Sequence, residues 1–155
     1  MSRIYRSHFN SVSIAAAQDI FSLLTPASRV AIIHEVRLSQ RDEVQDAEEV
    51  MILLRMRSGQ TAAGSGGAAP AIIPRMLGDS ASLCTVRIND TTIASGGTIV
   101  QPWSEYWNVR IPFVQIWTSE TRPVLPPSSR WTFELVGTPA KTLVCSGHLI
   151  FETIG

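Results

Sequence analysis

Apolar and polar side chains alternate along much of this chain, and this alternation predicts β-strands. Val30, Ile32, His34, Val36 and Leu38 share one face of a stretch whose other face turns polar toward its end. A period of two is typical of strands, because helices repeat every 3.6 residues. The alternating runs are rich in Val, Ile, Thr and aromatic residues and end at Pro, Gly, Asn, Asp or Ser. Strands are therefore predicted over residues 4–9, 14–24, 29–39, 49–57, 83–88, 98–101, 108–117, 130–136 and 143–153.

These strands indicate the fold class and the domain organisation. A chain of 155 residues is typical of one domain, so residues 1–155 are predicted to form a single β-sandwich domain. About eight strands separated by turns indicate an all-β antiparallel sandwich, and eight strands fit a jelly roll. Residues 1–10 are expected to form an extended N-terminal segment, and the Gly/Pro-rich residues 58–74 a surface loop. For residues 49–57 a helix is the alternative, since Glu, Met, Leu and Arg favour helices.

The composition argues against two classes of partner and favours a third. Lys and Arg together number 13, as do Asp and Glu, so no net charge attracts the chain to nucleic acid. No apolar run is long enough for a membrane span, and no apolar segment predicts a signal peptide at the N-terminus. Charged residues make up only 17% of the chain, below the usual quarter, which favours surfaces covered by protein partners. Lys141 is the only lysine, and arginine is favoured at interfaces, although a high-GC coding bias gives the same excess.

Candidate chemical sites are weak, so we expect neither catalysis nor a cofactor. His8, His34 and His148 are far apart and lack metal-ligand spacing, which favours ordinary packed or surface histidines. Cys84 and Cys145 fit no zinc or nucleophile motif, and a disulfide between them stays open. The stretch 42–49 carries five acidic side chains but lacks the EF-hand spacing, so a solvated loop is favoured over a calcium site. The glycine run 64–67 has no phosphate-loop ending, and no nucleophile-elbow motif occurs.

The aromatic residues are the most informative candidates for a binding surface. Residues 103–107 hold three aromatic side chains after Pro102 and are expected to form a loop. Trp and Tyr are enriched where interfaces bind most strongly, whereas core packing is the alternative reading, and the one we expect for Trp117 and Trp131. Stacking on carbohydrate is a further alternative. We predict partner contacts at five aromatic residues: Tyr5, Phe9, Trp103, Tyr106 and Trp107.

One set of segments carries a family resemblance: residues 16–21, the strand 30–40, the acidic turn 46–49, residues 64–67, the Trp-rich stretch, Arg122-Pro123 and residues 146–152. Together they resemble small virion structural proteins of tailed bacteriophages. The resemblance implies a non-enzymatic part of the particle, without metal or cofactor. Capsid decoration (cement) proteins are the class of this size and architecture that it resembles most. It therefore implies a location on the virion surface, the major capsid protein as partner, and a homo-oligomer, with a trimer favoured. A tail, collar or baseplate component and a carbohydrate-binding receptor module are the alternatives.

Overall fold

Two antiparallel sheets packed face to face form the protein, as the alternation of side chains predicts. The structure is a computed structural model, and it describes residues 2–41 and 51–155. The strands found in the described residues are β1 (Arg3–Ile14), β2 (Gln18–Leu24), β3 (Val30–Gln40), β4 (Met51–Ser58), β5 (Ile73–Pro74), β6 (Thr85–Asp90), β7 (Val100–Asn108), β8 (Phe113–Ile116), β9 (Val124–Leu125), β10 (Arg130–Val136) and β11 (Leu143–Ile154).

The strand order is that of a jelly roll. The first sheet has the order β5-β1-β11-β3-β8, with β9 also paired to β3, and the second has the order β6-β2-β10-β4-β7. Eight strands pair as nested couples, namely β1 with β11, β2 with β10, β3 with β8, and β4 with β7. The first half of the chain thus forms an antiparallel ribbon with the second half, which is how a jelly roll is built. The predicted jelly-roll-like sandwich of about eight strands is confirmed. β6 corresponds to the strand predicted over residues 83–88, whereas the short strands β5 and β9 were not predicted.

Side chains from the inner faces of both sheets make the core. Along β11, buried residues alternate with partly exposed ones from Leu143 to Thr153, as expected for a strand with one face exposed to solvent. Gly147 interrupts this row because the ring of Phe9 occupies the space where a side chain would begin. A Cβ at that position would lie 2.4 Å from Cε1 of Phe9. The glycine therefore allows an aromatic side chain of β1 to lie across β11.

The expected extended N-terminal segment is instead part of the first sheet. β1 begins at Arg3 and pairs with β11 in register from Arg3↔Thr153 to Ile14↔Leu143, with one irregularity after Phe9. Ser11 takes a positive φ of 53° at this irregularity. The strand predicted over residues 4–9 thus lies within β1, and the extended N-terminal segment is a paired strand of the sandwich with one buried face.

The first part of the Gly/Pro-rich stretch 58–74 lies over the outer face of the second sheet, and its last residues join the first sheet. The backbone of this first part pairs with the segment after β6 through the bridges Ala62↔Ser95 and Ser65↔Thr92, and with β6 itself through Ala68↔Ile88. The stretch begins at the last residue of β4 and ends in β5, so its two ends belong to strands. The surface position was predicted correctly, whereas the backbone pairing was not foreseen. This pairing covers polar side chains of β2, β4 and β10.

Gly67 should be among the least replaceable residues of this loop. A Cβ there would lie 2.0 Å from the carbonyl oxygen of Ile88, which belongs to the backbone of β6 and cannot move aside. We expect Gly67→Ala to lower the free energy of unfolding by more than about 2 kcal/mol, measured by urea denaturation. Ser65→Ala, at an exposed position of the same loop, is the control and should cost little. Equal losses for the two variants would contradict this account.

The Trp-rich stretch expected to be a loop forms β7. It pairs with β4 from Met51↔Asn108 to Ser58↔Val100 and lies at the edge of the second sheet. An edge strand tolerates Pro102, since a proline there need not donate a hydrogen bond to the sheet. The strand predicted over 108–117 is shorter, because a turn precedes β8, and Pro112 lies in that turn.

Candidate functional site

Two of the five aromatic residues predicted to contact partners lie in the core. Tyr5 is 2% exposed, and its ring stacks on that of Phe151 with 5.7 Å between the centroids. Phe9 is 4% exposed, and its ring lies 5.4 Å from that of Phe21. Both side chains point inward because β1 places alternate residues against the second sheet. The prediction that Tyr5 and Phe9 meet a partner is therefore corrected, since neither offers a surface in this fold.

The three aromatic residues of β7 have different environments. Trp107 is buried, and its Nε1–H donates a hydrogen bond of 2.8 Å to the carbonyl oxygen of Ile111. This residue belongs to the core, so its predicted partner contact is also corrected. Trp103 is partly buried and packs on core rings. Tyr106 is 63% exposed and lies on the outer face of the second sheet, where it can meet a partner.

A cavity lined by tryptophans opens between β7 and β8, and we call it the tryptophan cavity. Its volume is about 760 Å³, and Trp103, Trp117 and Trp131 line it. The ring of Trp103 lies 6.0 Å from that of Phe113 and 6.1 Å from that of Phe133, so rings from both sheets surround it. Trp117 and Trp131 are buried as predicted. Sequence analysis did not bring the three tryptophans together, because they lie on separate elements.

The same side of the sandwich exposes apolar side chains, and we call residues 99–116 the β7–β8 edge. Strands β7 and β8 each end the order of a sheet, and each pairs with one neighbour among the described residues. Half of the twelve large apolar side chains exposed in the described residues lie here. They are Ile99, Val100, Tyr106, Ile111, Val114 and Ile116.

All three histidines lie on the outer face of the first sheet. His8 stands opposite His148 in the pairing of β1 with β11, and His148 stands opposite Arg37 in the pairing of β11 with β3. His34 lies further along this face, with its Nε2 2.8 Å from Oε2 of Glu152. In the chain as described, no group of three His, Cys, Asp or Glu side chains is arranged to hold a metal ion. The sequence could not place these residues together because strand pairing, and not spacing, makes them neighbours.

A shallow depression of about 590 Å³ lies on this face between β1 and β8. Arg6, His8, Arg37 and His148 line it, so basic side chains dominate its charge. Burial is the main cause that lowers the pKa of His148, and the nearby positive charges lower it further, whereas Glu35 raises it. This lowered pKa favours the neutral form of His148, and Arg6 and Arg37 bring positive charge to the depression. Such a surface suits contact with acidic groups of a partner.

Beneath the Gly/Pro-rich loop, the outer face of the second sheet carries a buried ionic cluster. Glu134, 2% exposed, accepts hydrogen bonds of 2.8 and 2.9 Å from Arg55, and its Oε2 lies 2.7 Å from Nε of Arg57. The Glu134 hydrogen bonds raise the pKa of the Arg55 guanidinium. Asp19 accepts a hydrogen bond of 2.7 Å from the backbone N–H of Ala94, which fixes the segment after β6 that pairs with this loop. Burial raises the pKa of Asp19 from the ordinary 3.8 to about 6.

The cysteines and the acidic stretch were the other candidates from the sequence. Cys84 and Cys145 are both buried and form no disulfide with each other. Burial raises the pKa of the Cys84 thiol, which disfavours the reactive thiolate. The acidic stretch 42–49, considered as a calcium site, lies outside the described residues. The residues that the structure does describe form no helix with the length and hydrophobicity needed to cross a membrane.

Comparisons with known proteins identify no family for this chain. No protein-family model matches the chain, and no curated protein matches it. Among solved structures, the VP2 subviral particle of infectious bursal disease virus gives a TM-score of 0.17 at 10% identity, over 99% of this chain and 41% of that one. The T13 particle of the same virus gives a TM-score of 0.16 at 13% identity, over 99% and 39%. The chain thus spans about two fifths of the length of both, and these TM-scores are too low to indicate a shared fold.

Proposed function

We propose that this chain is a non-enzymatic structural protein of a phage particle, and that it decorates the capsid. It would bind the outer surface of the major capsid protein and stabilise the shell. The observation that carries this proposal is the β7–β8 edge, where two edge strands and half of the exposed large apolar side chains lie together. A function based on association needs such a surface and no reacting groups. The resemblance of the sequence to phage virion proteins supports the choice of partner.

In this proposal the chain binds the capsid by having its β7–β8 edge covered by the major capsid protein. An edge strand has backbone N–H and C=O groups free to pair with another chain, and its exposed apolar side chains gain by leaving water. Pro102 and the short length of β8 limit open-ended pairing between copies, since proline cannot donate to a neighbouring strand. Tyr106 and Ile116, on opposite outer faces of the edge, offer apolar area to different neighbours. Closed association of copies, with a trimer favoured, would present several such edges to the shell and raise the overall affinity.

The number of copies in the virion tests the proposal. We expect quantitative mass spectrometry of purified virions of the encoding phage to find on the order of hundreds of copies per particle, because decoration repeats with the shell. A tail, collar or baseplate component would instead be present at about a dozen copies or fewer. That low number would contradict decoration but keep a structural role, whereas absence from the virion would contradict both.

Charged substitutions test whether the β7–β8 edge makes the contact. Tyr106→Asp and Ile116→Asp should each reduce binding to capsids stripped of this protein, measured by co-sedimentation, because each places a charge in an apolar interface. Leu77→Asp is the matched control, since Leu77 is 93% exposed in the loop that follows β5, on the opposite side of the first sheet. Equal binding of all three variants would show that another surface meets the shell.

A further inference from the structure

Arginines without a salt bridge gather on the outer face of the first sheet. A second depression, of about 340 Å³, lies on this face beside the one of about 590 Å³, and Arg6 lines both. Arg75 and Arg122 also line the second depression. Within residues 2–41 and 51–155, none of these three guanidinium groups forms a salt bridge, although Arg122 acts electrostatically on Glu152. We call the surface formed by the two depressions the basic face.

Two carboxylates lie on the strands of the basic face, and other side chains already bind both. Glu35 forms a salt bridge with Arg37, and Glu152 is bound by Ser2 and by His34. The positive charges of the three arginines that lack a salt bridge are therefore not balanced locally. Such a surface attracts a partner that carries negative charge.

An acidic segment of the same chain carries the matching charge. Residues 42–49 hold five acidic side chains, with Val44 and Ala47 among them, and they lie outside the described residues. In the rest of the chain, most acidic side chains already form salt bridges, namely Asp19, Glu35, Asp79, Asp90, Glu134 and Glu152. The segment is therefore the main source of carboxylates that the described contacts do not use.

The acidic segment cannot reach the whole basic face of its own copy. Arg41 and Met51, the described residues that flank it, both lie at the end of the sandwich where β10 leads into β11. Arg122 precedes Pro123, whose carbonyl oxygen binds the N–H of Ile33, about 27 Å from Arg41 along β3. The chain between Arg41 and Met51 extends over at most about 36 Å, which is too short to go to Arg122 and return. A segment from a second copy has no such limit.

We propose that the basic face of one copy of this chain binds the acidic segment 42–49 of a second copy. Arginine pairs with a carboxylate through two parallel hydrogen bonds, and Ile4 and Ile150 in the same depression help to keep water from such pairs. The contact joins two different regions, so copies associate head to tail and close into a ring, such as a trimer, where the rotation allows it. A nucleic acid fits this face less well, because Glu35 and Glu152 oppose its continuous row of phosphates.

Two complementary charge-reversal variants test this contact. The face-reversed variant carries Arg6→Glu and Arg122→Glu, and the segment-reversed variant carries Asp46→Lys and Glu48→Lys. We expect the parent to self-associate in sedimentation velocity at low ionic strength and at up to about 0.1 mM protein. It should dissociate in about 1 M salt, where charges act over only about 3 Å. Each variant alone should associate at least about tenfold more weakly than the parent. An equimolar mixture should associate again, because the lysines of one variant then meet the glutamates of the other.

Arg29→Glu is the matched control, since Arg29 also forms no salt bridge in the described part of the chain but lies outside both depressions. It should associate as the parent does, and circular dichroism checks that each variant is folded. A parent that stays monomeric under these conditions would overturn the proposal, as would a mixture of the two variants that does not associate. Unchanged association of the face-reversed variant would also overturn it and assign the contact between copies to another surface. These experiments contain no capsid, so this contact and the decoration role can fail separately.

Discussion

Glu134→Ala should destabilise the protein by about 3–5 kcal/mol, measured as the free energy of unfolding in urea. Glu134 is 2% exposed and binds the guanidinium groups of both Arg55 and Arg57. Its removal leaves Arg57, itself 7% exposed, without its nearest carboxylate. A buried charge without a partner is far more costly than a buried pair. Asp19 compensates poorly, because its Oδ1 lies 3.7 Å from Nη2 of Arg57.

Glu105→Ala is the control for this substitution. Glu105 lies on β7, is exposed, and stands opposite Leu54 in the pairing with β4. Removing an exposed side chain of this kind should change the free energy of unfolding by less than about 0.5 kcal/mol. Replacing Arg55, Arg57 and Glu134 together by apolar residues of similar size should cost much less than Glu134→Ala alone. A loss below about 1 kcal/mol for Glu134→Ala would mean that water reaches Arg57.

The strands with one buried face were predictable from the sequence. β3 and β11 each alternate over most of their length. The predicted range 29–39 is shifted by one residue from β3, and the predicted range 143–153 ends one residue before β11 does. Residues 49–57, the weakest of the predicted strands, correspond to β4, although residues 49 and 50 lie outside the described part. When one face of a strand is buried and the other is exposed, apolar and polar residues alternate in the sequence. The local pattern is therefore enough for these elements.

Where two layers of structure cover one strand, the sequence pattern is lost. All residues of β10 except Val136 are buried, because the core covers one face and the Gly/Pro-rich loop covers the other. Polar side chains such as Glu134 lie on the loop side, and nothing in the local sequence distinguishes them from surface residues. The ionic cluster was missed for this reason. The glycines of the loop, which permit its close approach to β6 as at Gly67, were the one available signal.

The candidate binding surface was predicted in part. Its composition pointed to residues 103–107, but burial divides them between the core at Trp107, the cavity at Trp103 and the surface at Tyr106. Such a division depends on which face of β7 meets the other sheet. The apolar side chains of β8 were not singled out, because only the strand order shows that β8 is an edge.

Asp19 should make the stability of the protein depend on pH in the direction opposite to that of an ordinary paired carboxylate. Its pKa is raised to about 6 chiefly by burial, and the neighbouring carboxylates of Glu134 and Asp90 add to this, while Ala94 and Arg57 act against it. Between pH 3.8 and about 6 the folded protein therefore holds a proton at Asp19 that the unfolded chain releases. The contribution of this residue to stability is fully present below pH 3.8 and is lost as the pH rises through about 6. A difference of two pKa units corresponds to about 3 kcal/mol.

Asp19→Asn removes this titration while keeping an oxygen that can accept the hydrogen bond from Ala94. We expect the free energy of unfolding of the variant to rise relative to that of the parent by up to about 3 kcal/mol between pH 4 and pH 7, measured by urea denaturation at several pH values. Asp79→Asn, at the surface near Arg3, controls for the loss of one aspartate from the chain. The test depends on how the difference in unfolding free energy between variant and parent changes with pH. A constant difference caused by altered packing therefore does not affect it. Parallel curves for the parent and Asp19→Asn would mean that Asp19 is ionised throughout, and that the loop over the second sheet admits water to it.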